Sequence, residues 1–470
     1  MESYIGAAPS SLISQLDFSL QSTAPYVIQR RSVRMYPTSA STFTPNTVNV
    51  CRITLASEGE WLDPSTLRFA CTVVNNATGA ADHFKPYSTS ASCLFQRVRE
   101  MCGGTVISDV LNYARTAETF QNKLEPTEWQ FSEGVLGFAG SQFGMANVPT
   151  RDGDGTTCPA SRHPRTGAIR AGQQYTCVQR LLTGLCKSNK LIPLRVCPLT
   201  YELTLEVPSK VSLWSQNYSL VNCYMLCDLI TLDSSVQNSY YKSLLSGAAL
   251  SLVVPQYTTI HYPITNAATL AIVVQRAFTR NVAVFVTFAN DTSHVGQFFY
   301  TDFNVGQQAN AQHVEPFLQD SPFSFQLQLG SKLWPEQPMS SLAEMYETLR
   351  KAVGTHNQDI KSIGLDRRDY VNDSFILGVD LEKYLGDPFS AVNTRAGDVL
   401  RLVFNNINTG PYNTLTSCYV HLISGSILEI RETGAFLFDQ LSRLTKRGPL
   451  ETLASKKCHH SQELQTHKRV

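Results

Sequence analysis

The sequence predicts a mainly β protein that consists of two β-sandwich domains in tandem. Three observations support this class. Charged residues make up only 16% of the 470 residues and hydrophobic residues 43%, and sheets favour β-branched and aromatic side chains over Lys and Glu. Short runs of alternating apolar and polar residues recur along the chain, between clusters rich in Gly, Pro, Asn and Ser. Runs with helical spacing are few and short.

The alternating runs predict strands that have one buried face and one wet face. In residues 201–207, aromatic and aliphatic side chains occupy every second position, and polar side chains occupy most positions between them. The same pattern occurs at 67–73, 323–329 and 400–404, and a shorter candidate lies at 427–431.

Two stretches, at 267–274 and 282–289, are apolar without alternation. Short apolar runs of this kind, bounded by polar residues, predict strands that are buried on both faces. They are far shorter than the roughly 18 apolar residues that indicate a membrane-spanning helix. We therefore expect no membrane span.

Three short helices are predicted. The first begins at Asp233, which has the side chain of a helix N-cap, and runs to Ser246. The second begins at Ser341, which forms a capping box pattern with Glu344. A third candidate covers 106–120. The expected apolar stripes are Val236, Tyr240 and Leu244 in the first helix, and Leu342, Met345, Leu349 and Val353 in the second.

The chain divides near residue 248, and each half contains about the number of strands that a jelly roll needs. One long segment, rich in Gly, Pro, Arg and Ser, is predicted as an irregular loop. The C-terminal segment is basic, has little apolar content and is predicted to be flexible. The predicted domains are an N-terminal arm at 1–40, a first jelly roll at 41–247 that includes the long loop 134–174, a second jelly roll at 248–442, and a flexible basic tail at 443–470.

The 12 cysteines are scattered through the chain. The first twenty residues lack a basic segment followed by an apolar run, so the sequence does not predict a secretory leader. Thiols in proteins that stay inside the cell remain reduced. We therefore expect the cysteines to be free thiols that act as small core hydrophobes.

The common enzyme motifs are absent from the sequence. There is no G-x-x-x-x-G-K-[ST] phosphate loop, no G-x-S-x-G nucleophile elbow, and no H-E-x-x-H or paired C-x-x-C zinc motif. The net charge is +1, which provides no overall attraction for nucleic acid. We therefore predict that the protein is not an enzyme, and we assign no catalytic, cofactor-binding or metal-binding residue and no cofactor.

A few residues resemble parts of known sites, and each has a simpler explanation. Asp152, Asp154 and Gly155 match half of a calcium loop but lack its third acidic position, which favours a turn-rich loop. Cys223 and Cys227 share one face of a predicted strand but lack a matching pair, which favours core residues. For the remaining candidates we favour satisfied or solvated side chains; they are His83, His261 and His421, and the tail residues Cys458, His459, His460 and His467.

Several segments occur in the order typical of one family. Leu-Asp-Pro-Ser at 62–65 stands between two strand patterns, and Asp-Leu-Glu-Lys at 380–383 precedes Phe-Ser at 389–390, although Ala391 stands where a glycine is commoner. The chain thereby resembles the double jelly-roll major capsid proteins of polinton-like viruses and adintoviruses over residues 40–440. The other similar segments are 53–55, 67–69, 94–98, 103–107, 112–113, 232–247, 393–395, 420–422 and 427–431.

The resemblance implies a structural protein of a DNA virus. Two jelly rolls would stand side by side in each chain, and three chains would form a homotrimer with a hexagonal outline that tiles an icosahedral shell. The implied partners are other copies of the chain, neighbouring capsomers, and a penton or minor capsid protein. The implied location is the virion capsid, after synthesis inside the host cell and without secretion.

Two alternatives remain open. A carbohydrate-binding β-sandwich protein would need exposed aromatic side chains beside acidic ones, and the chain has only four tryptophans. A β-sandwich enzyme such as a cupin would need clustered histidine ligands, and no His-x-His occurs. The basic tail has the composition of an arm that contacts packaged nucleic acid, but we favour an unstructured, solvated terminus.

Overall fold

The computed structural model describes residues 26–79, 82–124, 133–138, 168–212, 214–265, 269–289, 323–356, 363–365, 370, 375–384, 391–395, 399–407 and 415–438. Within these residues the chain forms four antiparallel sheets. Two sheets belong to each half of the chain, and each pair encloses a hydrophobic core. The protein is therefore mainly β, as the alternating runs predict.

The first half contains ten strands in two sheets. One sheet has the order β1-β10-β4-β7, with β2 beside β10 and β8 beside β4, and the other has the order β3-β9-β5-β6. The strands are β1 (Val27–Met35), β2 (Thr42–Phe43), β3 (Val50–Leu55), β4 (Trp61–Asn75), β5 (Phe95–Cys102), β6 (Thr105–Leu111), β7 (Gln174–Arg180), β8 (Ile192–Pro193), β9 (Leu199–Leu205) and β10 (Tyr218–Leu232).

The second half contains nine strands, again in two sheets. Their orders are β11-β18-β13-β16, with β19 beside β18, and β12-β17-β14-β15. The strands are β11 (Leu250–Pro263), β12 (Thr269–Val273), β13 (Asn281–Ala289), β14 (Ser324–Leu329), β15 (Lys332–Met339), β16 (Leu377–Asp380), β17 (Leu400–Asn405), β18 (Ser417–Arg431) and β19 (Gly434–Phe438).

The two halves have the same topology. Three strands, β2, β8 and β19, lie outside the main order of their sheets. Without them each half has eight strands, which we number one to eight in chain order. In both halves one sheet has the order one-eight-three-six and the other has the order two-seven-four-five. Two four-stranded sheets connected in this way form a jelly roll. The structure is thus a double jelly roll, which confirms the predicted fold class.

Most of the predicted strands are confirmed. The runs at 67–73 and 201–207 lie in or overlap β4 and β9, and those at 323–329, 400–404 and 427–431 correspond to β14, β17 and the end of β18. β13 is buried on both faces, as its continuous apolar run predicts. The same expectation was wrong for the stretch at 267–274, because β12 is an edge strand whose residues alternate between exposed and buried.

The helices are α1 (Tyr113–Ala117), which continues as a π-helix (Glu118–Lys123), α2 (Ser234–Leu245) and α3 (Leu342–Val353). The Asp233 side chain accepts a hydrogen bond from the Ser235 amide at 2.8 Å, which confirms the predicted N-cap of α2. Ser341 precedes α3 as predicted, but its side chain makes no capping bond. Met345 and Leu349 of the predicted stripe are buried.

The predicted helix at 106–120 was wrong in its first part, because residues 105–111 form β6. Gly103 and Gly104 connect β5 to β6 and both have positive φ, of 54° and 90°. Two left-handed residues in succession form the tight turn of a β-hairpin, so the chain returns as a strand beside β5 and becomes helical only afterwards.

Residues 27–35, which the sequence analysis placed in an N-terminal arm, form strand β1 and pair with β10 from Val27 to Met35. The strand carries the sequence VIQRRSVRM, and six of its nine residues in succession are exposed. Its position in the sheet therefore depends on backbone pairing with β10, which no local hydrophobic pattern records.

Most cysteines in the described part of the chain are buried in the cores, and one pair of them departs from the expected free thiols. Cys102 and Cys197 form a disulfide with a Cα–Cα distance of 5.5 Å, because Pro193–Cys197 turns back toward the end of β5. Cys51, Cys71, Cys177, Cys223 and Cys227 are free and buried in the first core. The hydrogen bond with the neighbouring Cys177 thiol, together with burial, holds the pKa of Cys71 well above its ordinary value.

The two cores are not independent. Val254, Tyr257, Leu428 and Ile430 belong to strands of the second half, yet they are part of the first hydrophobic core. Phe120 of the first half packs against both cores. The halves therefore share one continuous apolar contact.

Candidate assembly surfaces

The described residues contain no group of three or more His, Cys, Asp and Glu side chains that would hold a metal ion. Cys223 and Cys227 are buried core residues of β10, as favoured from the sequence. Asp152, Asp154 and the tail residues Cys458, His459, His460 and His467 lie outside the described residues. Among the described helices, none combines the length and the apolar character of a membrane span.

The main polar arrangement lies where the two jelly rolls meet. Thr259, His421, Phe285 and Gly378 occupy one register row across β11, β18, β13 and β16. Residues of one register row share one face of the sheet, and within this row Phe285 belongs to the second hydrophobic core. Residues 113–123 of the first half, which we call the wedge, cover part of it.

Aromatic contacts attach the wedge to the second jelly roll. The Phe120 ring is 5.0 Å from the Phe285 ring in an edge-to-face geometry, 5.5 Å from Tyr257 and 6.0 Å from His421. The Arg115 guanidinium lies 4.1 Å from the centroid of the Tyr419 ring. Edge-to-face and cation–π contacts of this kind each stabilise a buried interface by about 0.5–2 kcal/mol.

A chain of hydrogen bonds crosses the same contact. Thr116 Oγ1 is 2.6 Å from Thr259 Oγ1, which lies 2.8 Å from His421 Nδ1. The other ring nitrogen, Nε2, lies 3.1 Å from Thr287 Oγ1. Burial, together with the nearby positive charge of Arg115, lowers the pKa of His421 to about 3. The imidazole is therefore neutral at physiological pH and both of its nitrogens are hydrogen-bonded.

The other two isolated histidines also have structural surroundings. His261 Nε2 lies 3.0 Å from Ser417 Oγ at the neighbouring end of β18. The His83 ring is 6.2 Å from the ring of Trp214. The contact with Ser417 agrees with the interpretation that His261 is a satisfied side chain, whereas the buried Nδ1 of His83 has no hydrogen-bond partner among the described residues.

Strand-to-strand packing extends the contact between the halves. β6, the fifth strand of the first jelly roll, packs against β11, the first strand of the second. Gln256 Nε2 donates a hydrogen bond of 2.8 Å to the Ile107 carbonyl. Gly184 approaches β11 so closely that an added Cβ would lie 2.1 Å from Val254 Cγ1. The contact is thus tightly packed at Gly184.

The strands that correspond to β6 and β11 in the other half are exposed. β15 is the fifth strand of the second jelly roll, and seven of its eight residues are exposed or half-buried. β1 is the first strand of the first jelly roll and is exposed along most of its length. Large apolar side chains on or beside these two strands are open to solvent: Tyr26, Val27, Ile28, Tyr36, Leu333 and Trp334.

A charged ladder covers the outer face of the sheet β3-β9-β5-β6. Glu202 binds Arg52 and, at 3.4 Å, Arg99. Asp109 binds Arg97 at 2.6 Å and lies 3.8 Å from Arg99. These groups are partly exposed, and alternating charges of this kind are typical of a sheet face that stays in contact with water.

A fully buried carboxyl group lies in the first core. Tyr201 donates a hydrogen bond to Glu100, and the Leu185 amide lies 3.5 Å from the other carboxyl oxygen. Burial raises the pKa of Glu100 to about 7, and these hydrogen bonds oppose the rise. Glu100 therefore connects β5, β9 and the segment that carries Gly184, and its enclosure in the core indicates a structural role.

Comparison by sequence finds no relative, since no family model and no curated protein matches the chain. Comparison with solved structures finds chains of similar fold. PBCV-1 VP54, fitted into a cryo-EM reconstruction of the virophage Sputnik, superposes with a TM-score of 0.57 and 12% identity, over 89% of this chain and 98% of that one.

Two further structures agree. A chain of the Sputnik virophage structure has a TM-score of 0.53 and 12% identity, over 91% of this chain and 92% of its own. The Faustovirus major capsid protein has a TM-score of 0.53 and 9% identity, over 88% and 92%. At such low identity the likeness shows the fold alone: this chain shares the double jelly-roll fold of viral major capsid proteins along most of its length.

Proposed function

We propose that this protein is a structural major capsid protein that assembles as homotrimers with a hexagonal outline, which in turn build an icosahedral viral shell. One observation carries the proposal: two jelly rolls of identical topology are joined side by side through a buried contact, and solved capsid proteins share this architecture over about nine-tenths of the chain. A protein with this role needs interfaces rather than a catalytic centre.

Geometry explains how the architecture would serve a shell. Three copies of a chain that contains two similar domains present six similar domains around one axis. A closed threefold ring of this kind satisfies its internal interfaces, and its outline approximates a hexagon that tiles a surface. The wedge and the shared core keep the two jelly rolls of one chain in a constant relation, which a regular tile requires.

The narrower assignment to polinton-like viruses or adintoviruses is also a proposal, supported by the motifs at 62–65 and 380–383. The first lies near the start of β4, and the second begins at Asp380, the last residue of β16. We propose the virion capsid as the location, and neighbouring capsomers and a penton or minor capsid protein as partners. For the domains we propose a first jelly roll at 41–247 that also includes β1, a second jelly roll at 248–442, and a basic tail at 443–470.

The test is the mass and shape of the purified full-length protein. We expect light scattering to give three times the mass of the 52.1 kDa chain, and negative-stain microscopy to show particles with a hexagonal outline. A monomer over a range of concentrations and salt would contradict the proposal. Glycan binding by that monomer would then favour a carbohydrate-binding protein instead.

A further inference from the structure

We propose that β15 of one copy packs on β1 of the next copy, in the same way that β6 packs on β11 inside each chain. The inference rests on the proposed function, because it takes self-assembly as given and identifies the surfaces that mediate it. The partner is a second copy of this chain.

The contact inside the chain provides the pattern. It joins two different surfaces: the fifth strand of one jelly roll, β6, and the first strand of the other, β11. An interface between two different surfaces is heterologous. When two similar domains are joined through it, each domain keeps uncovered the surface that its partner has used. Because the two jelly rolls have the same strand order, the free surfaces are the first strand of the first half, β1, and the fifth strand of the second half, β15.

Each of these two strands carries a pair of neighbouring exposed apolar side chains. Trp334 on β15 is 49% exposed and Leu333 is 46% exposed, while Ile28 and Val27 on β1 are 64% and 49% exposed. Beside β1, Tyr36 is 58% exposed. Proteins usually protect edge strands with charges or short length, and an apolar cluster on an exposed edge strand indicates an interaction surface.

The internal contact shows how such strands are covered. On β11, Val254 and Tyr257 are buried in the first core, and Gln256 donates a hydrogen bond to the Ile107 carbonyl of β6. The equivalent central residues of β1 and β15 are exposed or half-buried, with no such cover among the residues that the structure describes. A second copy placed by the same strand-on-strand relation would cover both surfaces at once.

Charge is compatible with this pairing. On β1, Arg30 and Arg31 pair with Asp228 and Glu60 of the same chain, whereas Arg34 is exposed and lies 5.0 Å from the centroid of the Tyr224 ring. β15 presents Lys332 and Glu336, both exposed. The positive charge of Arg34 disfavours an approach of β1 to β1 relative to an approach of β1 to β15, which carries a carboxylate.

Single substitutions test the two surfaces separately. Trp334→Glu on β15 and Ile28→Glu on β1 are each expected to convert the three-copy particle into a single-copy species in sedimentation velocity. Trp334→Ser is a milder second variant, expected to shift the same equilibrium without placing a charge on the strand. Circular dichroism and the thermal midpoint establish that each variant is folded.

Leu245→Glu on α2 is the matched control, since Leu245 is 65% exposed and lies outside both strands. The mass of the particle that this variant forms should equal that of the natural protein.

A mixing experiment tests the head-to-tail relation. Each glutamate variant retains one intact surface: Trp334→Glu keeps β1, and Ile28→Glu keeps β15. An equimolar mixture of the two should therefore form a species with the mass of two copies, which neither variant forms alone.

The outcomes separate the two proposals. If the natural protein is trimeric and both glutamate variants stay trimeric, the surfaces assigned here are wrong while the capsid proposal stands. If the variants become monomeric but the mixture forms no two-copy species, the head-to-tail relation is wrong. If the natural protein is a monomer at all concentrations, the proposed function fails and this inference fails with it.

Discussion

His421 makes the contact between the two jelly rolls sensitive to acid. Its pKa is lowered to about 3 in the folded protein, whereas an unfolded chain binds the proton near pH 6.5. Between these values the unfolded state binds more protons, so the free energy of unfolding decreases as pH falls below 6.5. From pH 6.5 to pH 4.5 this loss should be on the order of 2–3 kcal/mol.

The measurement is urea denaturation of the natural protein and of His421→Asn at both pH values. Asparagine retains hydrogen-bonding capacity toward Thr259 and Thr287 but does not titrate. The natural protein should therefore lose more stability on acidification than the variant. Equal losses in the two proteins would show that His421 does not carry the acid sensitivity.

Glu100 should have the opposite dependence on pH. Burial raises its folded pKa from 4.5 to about 7, so its stability contribution is complete below pH 4.5 and is lost as pH rises through 7. Glu100→Gln, which resembles the protonated acid, should gain stability relative to the natural protein between pH 5 and pH 8, by about 2–3 kcal/mol. Denaturation curves at both pH values measure this gain. If the difference in free energy of unfolding between the two proteins stayed constant, Glu100 would be ionised throughout this pH range.

Because the His421 and Glu100 effects on stability oppose each other near pH 5–6, only the single variants separate them.

Gly184 is a position where packing excludes any side chain. An added Cβ would lie 2.1 Å from Val254 Cγ1 and 2.5 Å from the Pro255 carbonyl oxygen of the second half. Gly184→Ala should therefore lower the free energy of unfolding by about 1–3 kcal/mol. Gly59→Ala is the control, because its nearest neighbour would be 3.9 Å away, and its thermal midpoint should change little. Equal midpoints for the two variants would mean that the contact with β11 is looser than its geometry indicates.

At the scale of elements, the wedge is the part of the first jelly roll that holds the second. Its Phe120 ring contacts Tyr257, Phe285 and His421. Phe120→Ala should destabilise the protein by about 2–4 kcal/mol, somewhat below the largest losses for fully buried phenylalanines because the side chain is half-buried. Phe120→Leu, which keeps apolar volume, should lose less than half as much. Differential scanning calorimetry measures both, and an unchanged midpoint for Phe120→Ala would show that the wedge does not hold the halves together.

At the scale of the whole molecule, we expect the two jelly rolls to unfold together. Residues of the second half, among them Val254 and Leu428, complete the first core. Unfolding one half alone would expose this shared apolar surface to water, which couples the two transitions. Calorimetry of the natural protein should therefore show one cooperative transition. Two resolved transitions would contradict this expectation, and in Phe120→Ala the same splitting would be a consequence of the weakened contact.

The sequence by itself determined the strands whose environment repeats with period two. Residues 199–205 of β9 alternate between buried and half-buried positions, and the Asp233 cap of α2 acts within two residues. The sequence predicts these features because the periodicity of a strand and the cap of a helix depend on residues that are close together in the chain. The same local information indicated two halves of comparable strand content and an absence of the common catalytic motifs.

Only the tertiary structure decided which surfaces are covered. β12 and β13 have similar apolar sequences, yet one is an edge strand with an open face and the other is buried on both faces. β1 has no apolar pattern and joins a sheet through β10, nearly 200 residues later. The roles of the wedge and of the exposed strands β1 and β15 could be identified only from the packing of one jelly roll on the other. Burial depends on the sum of contacts from distant segments, and periodicity along the chain records only that a face is apolar, not what covers it.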